Sequence, residues 1–162
     1  DVDPLILVSI IGIETNYGKR YAEYSVFNSL YTQTINLPKR ASWATKELYE
    51  LLVYSKEQGT NPFDLYGSYA GAFGYGQFIP SSFNKLSIDY DKNGIKNPYG
   101  WEDVLGSIAF YLTENGYPEN NHNFSFRSPI WRSARTYNRS DKYANVVIDL
   151  RNELSKRVFL SY

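Results

Sequence analysis

The chain has 162 residues and a formal net charge of zero at pH 7, because 17 Lys and Arg balance 17 Asp and Glu. This length fits one domain over residues 1–162, and the balanced charge argues against a nucleic-acid-binding surface. The sequence has no cysteine, which excludes disulfides and thiolate metal sites, and its single histidine, His122, argues against a zinc site or a Ser-His-Asp triad.

The hydrophobic pattern is helical along most of the chain and predicts an all-α fold without strands. Pro4 is expected to begin the first helix and Gly18 to cap its end, while Gly59 follows the third helix. The predicted helices cover residues 4–16, 25–35, 39–57, 80–87, 101–115, 128–137 and 141–159. The side chains expected to face the core from the two longest helices are Leu48, Leu51, Leu52, Val146, Val147, Leu150, Leu154 and Val158.

A single glutamate, Glu14, stands inside the apolar first helix. Its spacing places it on the same face as four preceding apolar residues, which are Ile6, Leu7, Ile10 and Ile11. Burial and the C-terminal end of the helix dipole both disfavour the charged carboxylate and raise its pKa, which suits a general acid near neutral pH. The alternative is a structural glutamate that is paired with Arg20 or Arg40.

Residues 67–83, GSYAGAFGYGQFIPSSF, combine four glycines with aromatic and polar residues. Glycine lets the backbone adopt positive φ and approach a ligand closely, and Pro80 suits the first turn of a helix. Such a loop indicates the wall of a cleft for a hydroxyl-rich ligand. The chain also has 16 tyrosines, whose flat faces and hydroxyls suit sugar rings, although most of them are expected in an aromatic core.

Residues 89–97, DYDKNGIKN, follow the calcium-loop pattern of EF-hands, with oxygen donors at alternate positions and glycine at the sixth. The twelfth position is Gly100 rather than glutamate, so an aspartate at the start of the next helix is expected to supply the missing carboxylate. Oxygen donors of this kind favour a structural Ca²⁺ over the alternative, an Asx-rich turn that binds no ion. The expected ligands are Asp89, Asp91, Asn93, the carbonyl of Ile95, and Asp103.

A further segment lies at a helix-to-helix junction, where Tyr137, Asn138 and Tyr143 can converge on a cleft. Together, and in this order, the segments resemble the membrane-bound lytic murein transglycosylase B family, a branch of the lysozyme-like superfamily. The resemblance implies a lysozyme-like, all-α domain that carries an EF-hand-like loop. The matching stretches are residues 13–18, 37–41, 67–83, 89–103, 106–111 and 137–144.

The resemblance implies that Glu14 is the catalytic acid and base in cleaving the β-1,4 bond between N-acetylmuramic acid (MurNAc) and N-acetylglucosamine (GlcNAc) in peptidoglycan. Glu14 would protonate the glycosidic oxygen and then take the proton of the C6 hydroxyl, which attacks C1 and leaves a 1,6-anhydro sugar. No cofactor is implied for this chemistry. The residues implied to bind the substrate are Ser68, Gln77, Tyr111, Tyr137, Asn138 and Tyr143, with Lys39 and Arg40 near its peptide or carboxylate groups.

Three alternatives stay open: a non-catalytic peptidoglycan-binding or assembly module, a hydrolytic muramidase, and a calcium-dependent regulatory protein. The expected partner is the glycan strand of peptidoglycan, bound by a monomer. No apolar run reaches the length of about 18 residues that indicates a membrane span. Because residue 1 is aspartate, the chain is expected to be a mature or trimmed part of a longer protein in the periplasm or cell envelope, and a lipid anchor on that precursor is left open.

Overall fold

The computed structural model of the protein describes residues 2–158 and confirms the predicted all-α fold. The predicted helices agree with the observed ones to within two residues at each end, and the predicted last residue of the final helix, residue 159, lies outside the described range. No helix in that range is both long and apolar enough to cross a membrane. The elements in chain order are α1 Pro4–Thr15, β1 Tyr24–Ser25, α2 Val26–Asn36, α3 Ala41–Gln58, a 3₁₀ turn Pro62–Asp64, β2 Tyr66–Gly67, α4 Pro80–Leu86, α5 Trp101–Glu114, α6 Pro129–Tyr137 and α7 Asp141–Val158.

The ends of α1 determine where Glu14 lies. The Asp3 side chain accepts a backbone N–H of the first turn, and Pro4 occupies the first helical position, as predicted. The helix ends at Asn16, whose φ of 48° is left-handed, so the expected cap at Gly18 was wrong. Asparagine tolerates this conformation, and its N–H donates to carbonyls of the last turn. Glu14 therefore lies in the last turn of α1.

Helices α1 to α7 all contribute buried side chains to one hydrophobic cluster, which includes Phe73 from the glycine-rich stretch. Two side chains that were expected to face this core are exposed, Leu52 at 43% and Val146 at 49%. Leu52 follows the fully buried Leu51, and Val146 precedes the fully buried Val147. A step of one residue turns a side chain by about 100° around the helix. The buried stripe of α3 repeats every three or four residues, at Ala44, Glu47, Leu51, Tyr54 and Ser55.

A small antiparallel sheet corrects the prediction of a fold without strands. Strands β1 and β2 have two residues each and pair Tyr24 with Gly67 and Ser25 with Tyr66. Isolated bridges continue from Gly67 to Phe73 and from Phe73 to Phe78. Strands of two residues are too short to show an alternating pattern in the sequence. The sheet fixes the glycine-rich stretch against the start of α2.

A buried glutamate on α3 positions the start of α4. The first turn of α4 receives no hydrogen bond from the side chain of its own cap residue, Ile79. Instead the Glu47 carboxylate accepts the backbone N–H of Ser81 at 2.9 Å and the Ser81 hydroxyl at 2.8 Å. Glu47 is only 2% exposed, so these bonds replace the water that the carboxylate has lost.

Candidate active site

Glu14 is largely but not fully buried, and one hydrogen bond from another helix holds it. Its neighbours one turn earlier, Ile10 and Ile11, are buried, and its Oε1 accepts the hydroxyl hydrogen of Tyr143 on α7 at 2.7 Å. Burial raises the pKa of Glu14 from 4.5 to about 7, and the hydrogen bond from Tyr143 partly opposes that rise. The direction of this shift agrees with the increase predicted from burial. Near neutral pH both the protonated and the ionised forms of Glu14 are therefore populated.

The alternative reading of Glu14 as an ion-paired structural residue is not supported. None of the ion pairs among residues 2–158 involves Glu14. Arg40, one of its two expected partners, packs its guanidinium over the ring of Trp43 at 4.3 Å from the centroid. The other, Arg20, is exposed. Without a nearby cation to favour the carboxylate, desolvation decides the protonation state of Glu14.

Tyrosines from α5, α6 and α7 form a wall beside the carboxyl group. The ring of Tyr143 lies parallel to that of Tyr137, with centroids 6.4 Å apart. The Tyr137 hydroxyl donates to the carbonyl of Gly76 at 2.5 Å, and the Tyr111 hydroxyl donates to the carbonyl of Thr136 at 2.8 Å. Burial raises the pKa of Tyr137 and of Tyr143 well above 10, so both phenols are neutral donors at any working pH.

The bond from Tyr137 depends on the absence of a side chain at Gly76. A Cβ there would lie 3.1 Å from the Tyr137 hydroxyl oxygen and 2.8 Å from the ring of Phe78. Phe78 in turn packs against Tyr137, with ring centroids 5.4 Å apart. The glycine-rich stretch is therefore held against the end of α6, which three residues separate from the start of α7.

Two of the expected substrate-binding side chains, Ser68 and Gln77, lie at either end of the glycine-rich turn. Ser68 Oγ accepts the backbone N–H of Ala72 at 3.2 Å, which holds the turn closed. Gln77 has a left-handed backbone, with φ of 50°, and its side-chain amide donates to the carbonyl of Gly74 at 2.9 Å. A non-glycine residue in this region of φ is uncommon and is often associated with a functional site.

A cavity of about 380 Å³ brings together three of the expected residues, Gln77, Tyr111 and Tyr137. Trp43 and Arg139 also line this cavity, and the sequence analysis did not predict either of them as a site residue. Trp43, in the first turn of α3, follows the cap residue Arg40 by three residues, and that spacing was the signal available for it. The complete lining is Trp43, Gln77, Phe78, Ile79, Ser82, Tyr111, Thr136, Tyr137 and Arg139.

The remaining expected contacts, like Glu14 itself, are not among the residues that line this cavity. Asn138 is exposed and follows α6 with an extended backbone, and no described hydrogen bond holds its side chain. Lys39 and Arg40 are exposed just before α3. Arg40 borders a second cavity on α2 and contacts Trp43 in the first one. It therefore lies between the two cavities.

The acidic loop before α5 brings three carboxylates together. Oxygen atoms of Asp89, Asp91 and Asp103 lie within 4.8 Å of one another. Asp103 is 2% exposed, and its two oxygens accept the backbone N–H groups of Tyr90 and Asn97, both at 2.8 Å. Three hard oxygen donors at this separation fit a calcium ion. Asn93 and Ile95, the other expected ligands, belong to the same loop.

This acidic loop packs directly against the glycine-rich stretch. The Tyr75 N–H donates to the carbonyl of Pro98 at 2.9 Å. Gly74, with φ of 73°, lies so close that a Cβ would be 2.4 Å from the same oxygen. The Tyr99 hydroxyl donates to the carbonyl of Tyr66 in β2 at 2.8 Å. These contacts hold the acidic loop against the glycine-rich stretch and β2.

Comparison with known protein families matches residues 1–129 to the Transglycosylase SLT domain. The chain belongs to this family. The membrane-bound lytic murein transglycosylase B of Escherichia coli (strain K12) is 37% identical to this SLT-domain chain over 116 residues, which are 72% of the chain and 32% of that relative. The chain thus spans about a third of the length of the curated relative.

Solved structures confirm the fold of this SLT domain. The soluble lytic transglycosylase SltB1 from Pseudomonas aeruginosa matches 96% of the chain with a TM-score of 0.89 at 29% identity, over 71% of its own length. The Escherichia coli lytic transglycosylase Slt35, in complex with calcium, matches 96% with a TM-score of 0.90 at 25% identity, over 67% of its length. The family resemblance and the lysozyme-like fold are therefore confirmed.

Replacing Tyr143 by Phe in this SLT domain is expected to move the pH–activity profile to higher pH. Loss of the hydroxyl removes the hydrogen bond that lowers the Glu14 pKa, so that pKa rises further above about 7. If Glu14 must be protonated to act as a general acid, the alkaline limb of the kcat/KM profile moves to higher pH together with the Glu14 pKa. The check is a pH profile of kcat/KM for both proteins, with the exposed Tyr49→Phe as the matched control. An alkaline limb that stays at the same pH or moves to lower pH contradicts this role of Tyr143.

Proposed function

We propose that the chain is a peptidoglycan lytic transglycosylase that cleaves the MurNAc-β-1,4-GlcNAc bond and forms a 1,6-anhydroMurNAc end. The observation that carries the proposal is a lone, largely buried carboxyl group, Glu14, which the Tyr143 hydroxyl holds at 2.7 Å and whose pKa is raised by burial. Most glycosidases use two carboxyl groups about 5–9.5 Å apart. In the described part of the chain, burial and Tyr143 account for the Glu14 shift, with no contribution from a second carboxylate. One acid suffices when the sugar supplies its own nucleophile.

The reaction needs two proton transfers and returns Glu14 to its starting state. Protonated Glu14 gives its proton to the glycosidic oxygen as the C1–O bond breaks, while the 2-acetamido carbonyl of MurNAc assists at C1. The ionised Glu14 then takes the proton of the C6 hydroxyl, whose oxygen forms the new bond to C1. A pKa near the working pH serves both steps, because neither protonation state is strongly disfavoured.

The surrounding side chains position the carboxyl group and the sugar. Tyr143 fixes the Glu14 carboxyl through its hydrogen bond, and the ring of Tyr137 lies parallel to that of Tyr143. Ser68 is assigned to orient Glu14 or the acetamido group, and Arg40 with Lys39 to approach peptide or carboxylate groups. The aromatic side chains keep bulk water from C1. The residues proposed to contact the glycan are Ser68, Gln77, Tyr111, Tyr137, Asn138 and Tyr143.

The whole chain is proposed to act as one catalytic domain and as a monomer, in the periplasm or cell envelope, because its substrate is found there. Purified sacculi test the activity. We expect the chain to release soluble muropeptides whose reducing ends weigh one water less than hydrolysed fragments. Fragments of full hydrolysed mass would instead identify a hydrolytic muramidase, and no release at all would identify a non-catalytic binding module.

The acidic loop is proposed to bind a structural Ca²⁺ through Asp89, Asp91, Asn93, the carbonyl of Ile95, and Asp103. Three close carboxylates and the calcium complex of the related Slt35 support this assignment. The ion would hold the loop and, through Pro98, the adjacent glycine-rich stretch.

Calcium is therefore expected to stabilise the fold. At a free concentration of 100 times the Kd, binding to the folded state alone adds about 2–3 kcal/mol to the free energy of unfolding. The measurement is thermal unfolding with Ca²⁺ and with a chelator, for the wild type and for Asp103→Asn. Exposed Asp149→Asn on α7 is the control and should respond like the wild type. A melting temperature that is the same with Ca²⁺ and with chelator contradicts the assignment.

A further inference from the structure

The positive charge of this neutral chain is concentrated around α6. Residues 127–142 include five Lys and Arg side chains but only one carboxylate, Asp141, so this segment has four excess positive charges. Arg139 lines the cavity beside Tyr137, and the other four cations lie outside that cavity. The reaction proposed for Glu14 assigns no role to these charges. The five cations, all of them exposed, are Arg127, Arg132, Arg135, Arg139 and Lys142.

Side-chain contacts join this part of α6 to α7 in one continuous surface. Arg135 forms an ion pair with Asp141 across the junction of the two helices, and Lys142 follows Asp141 in the first turn of α7. One turn further from the junction on each helix, Trp131 Nε1 donates to Asn145 Oδ1 at 2.8 Å. The exposed cations of α6 and of α7 therefore lie side by side.

Two apolar side chains are exposed on the same surface. Phe126 is 57% exposed and packs edge to face against Trp131, with ring centroids 5.0 Å apart. The guanidinium of Arg127 lies 5.0 Å from the centroid of the Phe126 ring. Val146 is 49% exposed and follows Lys142 by one helical turn. The surface that we name the basic face consists of Phe126, Arg127, Arg132, Arg135, Lys142 and Val146.

Most of the charge on the basic face is free to interact with an external anion. Only Arg135 has a carboxylate partner, and the other three cations of the face form no ion pair within residues 2–158. The next carboxylate along α7 is Asp149, about two turns after the helix begins. Clustered cations repel one another, and an anionic partner relieves that repulsion.

We propose that the basic face docks the domain on an anionic phospholipid surface. The cations pair with phosphate headgroups, and Phe126 and Val146 reach the boundary between the headgroups and the acyl chains. Arginine suits this partner because its planar guanidinium binds phosphate through two parallel hydrogen bonds. The exposed apolar side chains favour a bilayer over a soluble polyanion, which offers charge alone. Docking is independent of the reaction proposed for Glu14 and goes beyond it.

Co-sedimentation of the full chain with lipid vesicles tests the docking. The wild type should bind vesicles made of equal parts phosphatidylglycerol and phosphatidylcholine at least about tenfold more tightly than vesicles of phosphatidylcholine alone. Raising the NaCl concentration from about 0.1 M to about 1 M shortens the Debye length from about 10 Å to about 3 Å, and it should release the protein.

Two variants test the named residues. Arg132→Gln combined with Lys142→Gln should weaken binding to the anionic vesicles about 25-fold, or about fivefold for each cation, equivalent to about 1 kcal/mol each. Phe126→Ser should weaken it about tenfold through the lost apolar contact. All three positions are exposed, and circular dichroism checks that both variants fold. The matched control, Arg20→Gln with Lys56→Gln, removes two exposed cations elsewhere and should bind like the wild type.

Turnover of sacculi, which contain no phospholipid, separates docking from substrate binding. The Arg132 and Lys142 double variant should release muropeptides at the wild-type rate, and a lower rate would place these cations on the peptide carboxylates of the substrate and overturn the inference. It is also overturned if the wild type binds both kinds of vesicle equally, or if the double variant binds anionic vesicles as tightly as its control. Binding that Phe126→Ser leaves unchanged would indicate a site for a soluble polyanion and overturn the assignment to a bilayer.

Discussion

Replacing Glu14 by Gln is expected to lower the release of muropeptides from sacculi by about 10²–10⁴-fold or more. Gln has nearly the shape of Glu and can still accept the hydrogen bond from Tyr143. It can neither donate a proton to the glycosidic oxygen nor take one from the C6 hydroxyl, so both steps lose their catalyst. The measurement is the initial rate of fragment release, with product masses, for the two proteins.

Two controls make this result specific to the reaction. Glu119→Gln makes the same chemical change at an exposed position and should leave the rate unchanged. Circular dichroism of Glu14→Gln should match the wild type, because only one functional group differs. Release by Glu14→Gln at more than about a tenth of the wild-type rate would mean that another residue carries the proton.

The same substitution is expected to stabilise the fold at alkaline pH by about 3 kcal/mol. The carboxyl has a pKa of about 7 in the folded protein and about 4.5 when it is fully solvated. Between these values the folded state binds more protons than the unfolded state, so the free energy of unfolding falls as pH rises through this window. Above pH 7 the folded protein bears the full penalty of a buried charge. Gln carries no charge, and Glu14→Gln removes that penalty.

Urea unfolding of both proteins at pH 8 and at pH 4 measures this effect. At pH 4, Glu14 is protonated in the folded state and largely so in the unfolded state, and the two proteins should be equally stable. The exposed Glu119→Gln should show no difference at either pH. A variant that is less stable than the wild type at pH 8 would show that the Glu14 carboxylate stabilises the fold, as an ion-paired residue does.

Much of the fold and one central residue could be predicted from local sequence signals. Pro4 and Gly59 mark helix ends through their backbone preferences, which act over one or two residues. The burial of Glu14 follows from the 3.6-residue period, because Ile10 and Ile11 lie one turn before it. The family resemblance rested on the order of the matching segments and not on any single one of them.

The contacts that complete the site are long-range, and the sequence did not predict them. Tyr143 is 129 residues from Glu14, so no helical or strand period relates the two. Glu47 caps a helix that begins 33 residues later, and its burial has no local signal. The two-residue strands escape any search for alternation. Gln33, whose side-chain amide donates to the carbonyl of Tyr69 at 3.1 Å, is indistinguishable in the sequence from an ordinary helical residue.

The protonation of Glu14 is the property on which the proposed reaction depends, and it can be measured directly. NMR of the side-chain carboxyl carbon, with Glu labelled by ¹³C and the Glu14 signal assigned by its loss in Glu14→Gln, follows this one group through a pH titration. The proposed reaction predicts a midpoint at about pH 7. A midpoint near 4.5, the value of an exposed glutamate, would contradict it, because Glu14 would then be an ionised side chain with no proton to give at neutral pH.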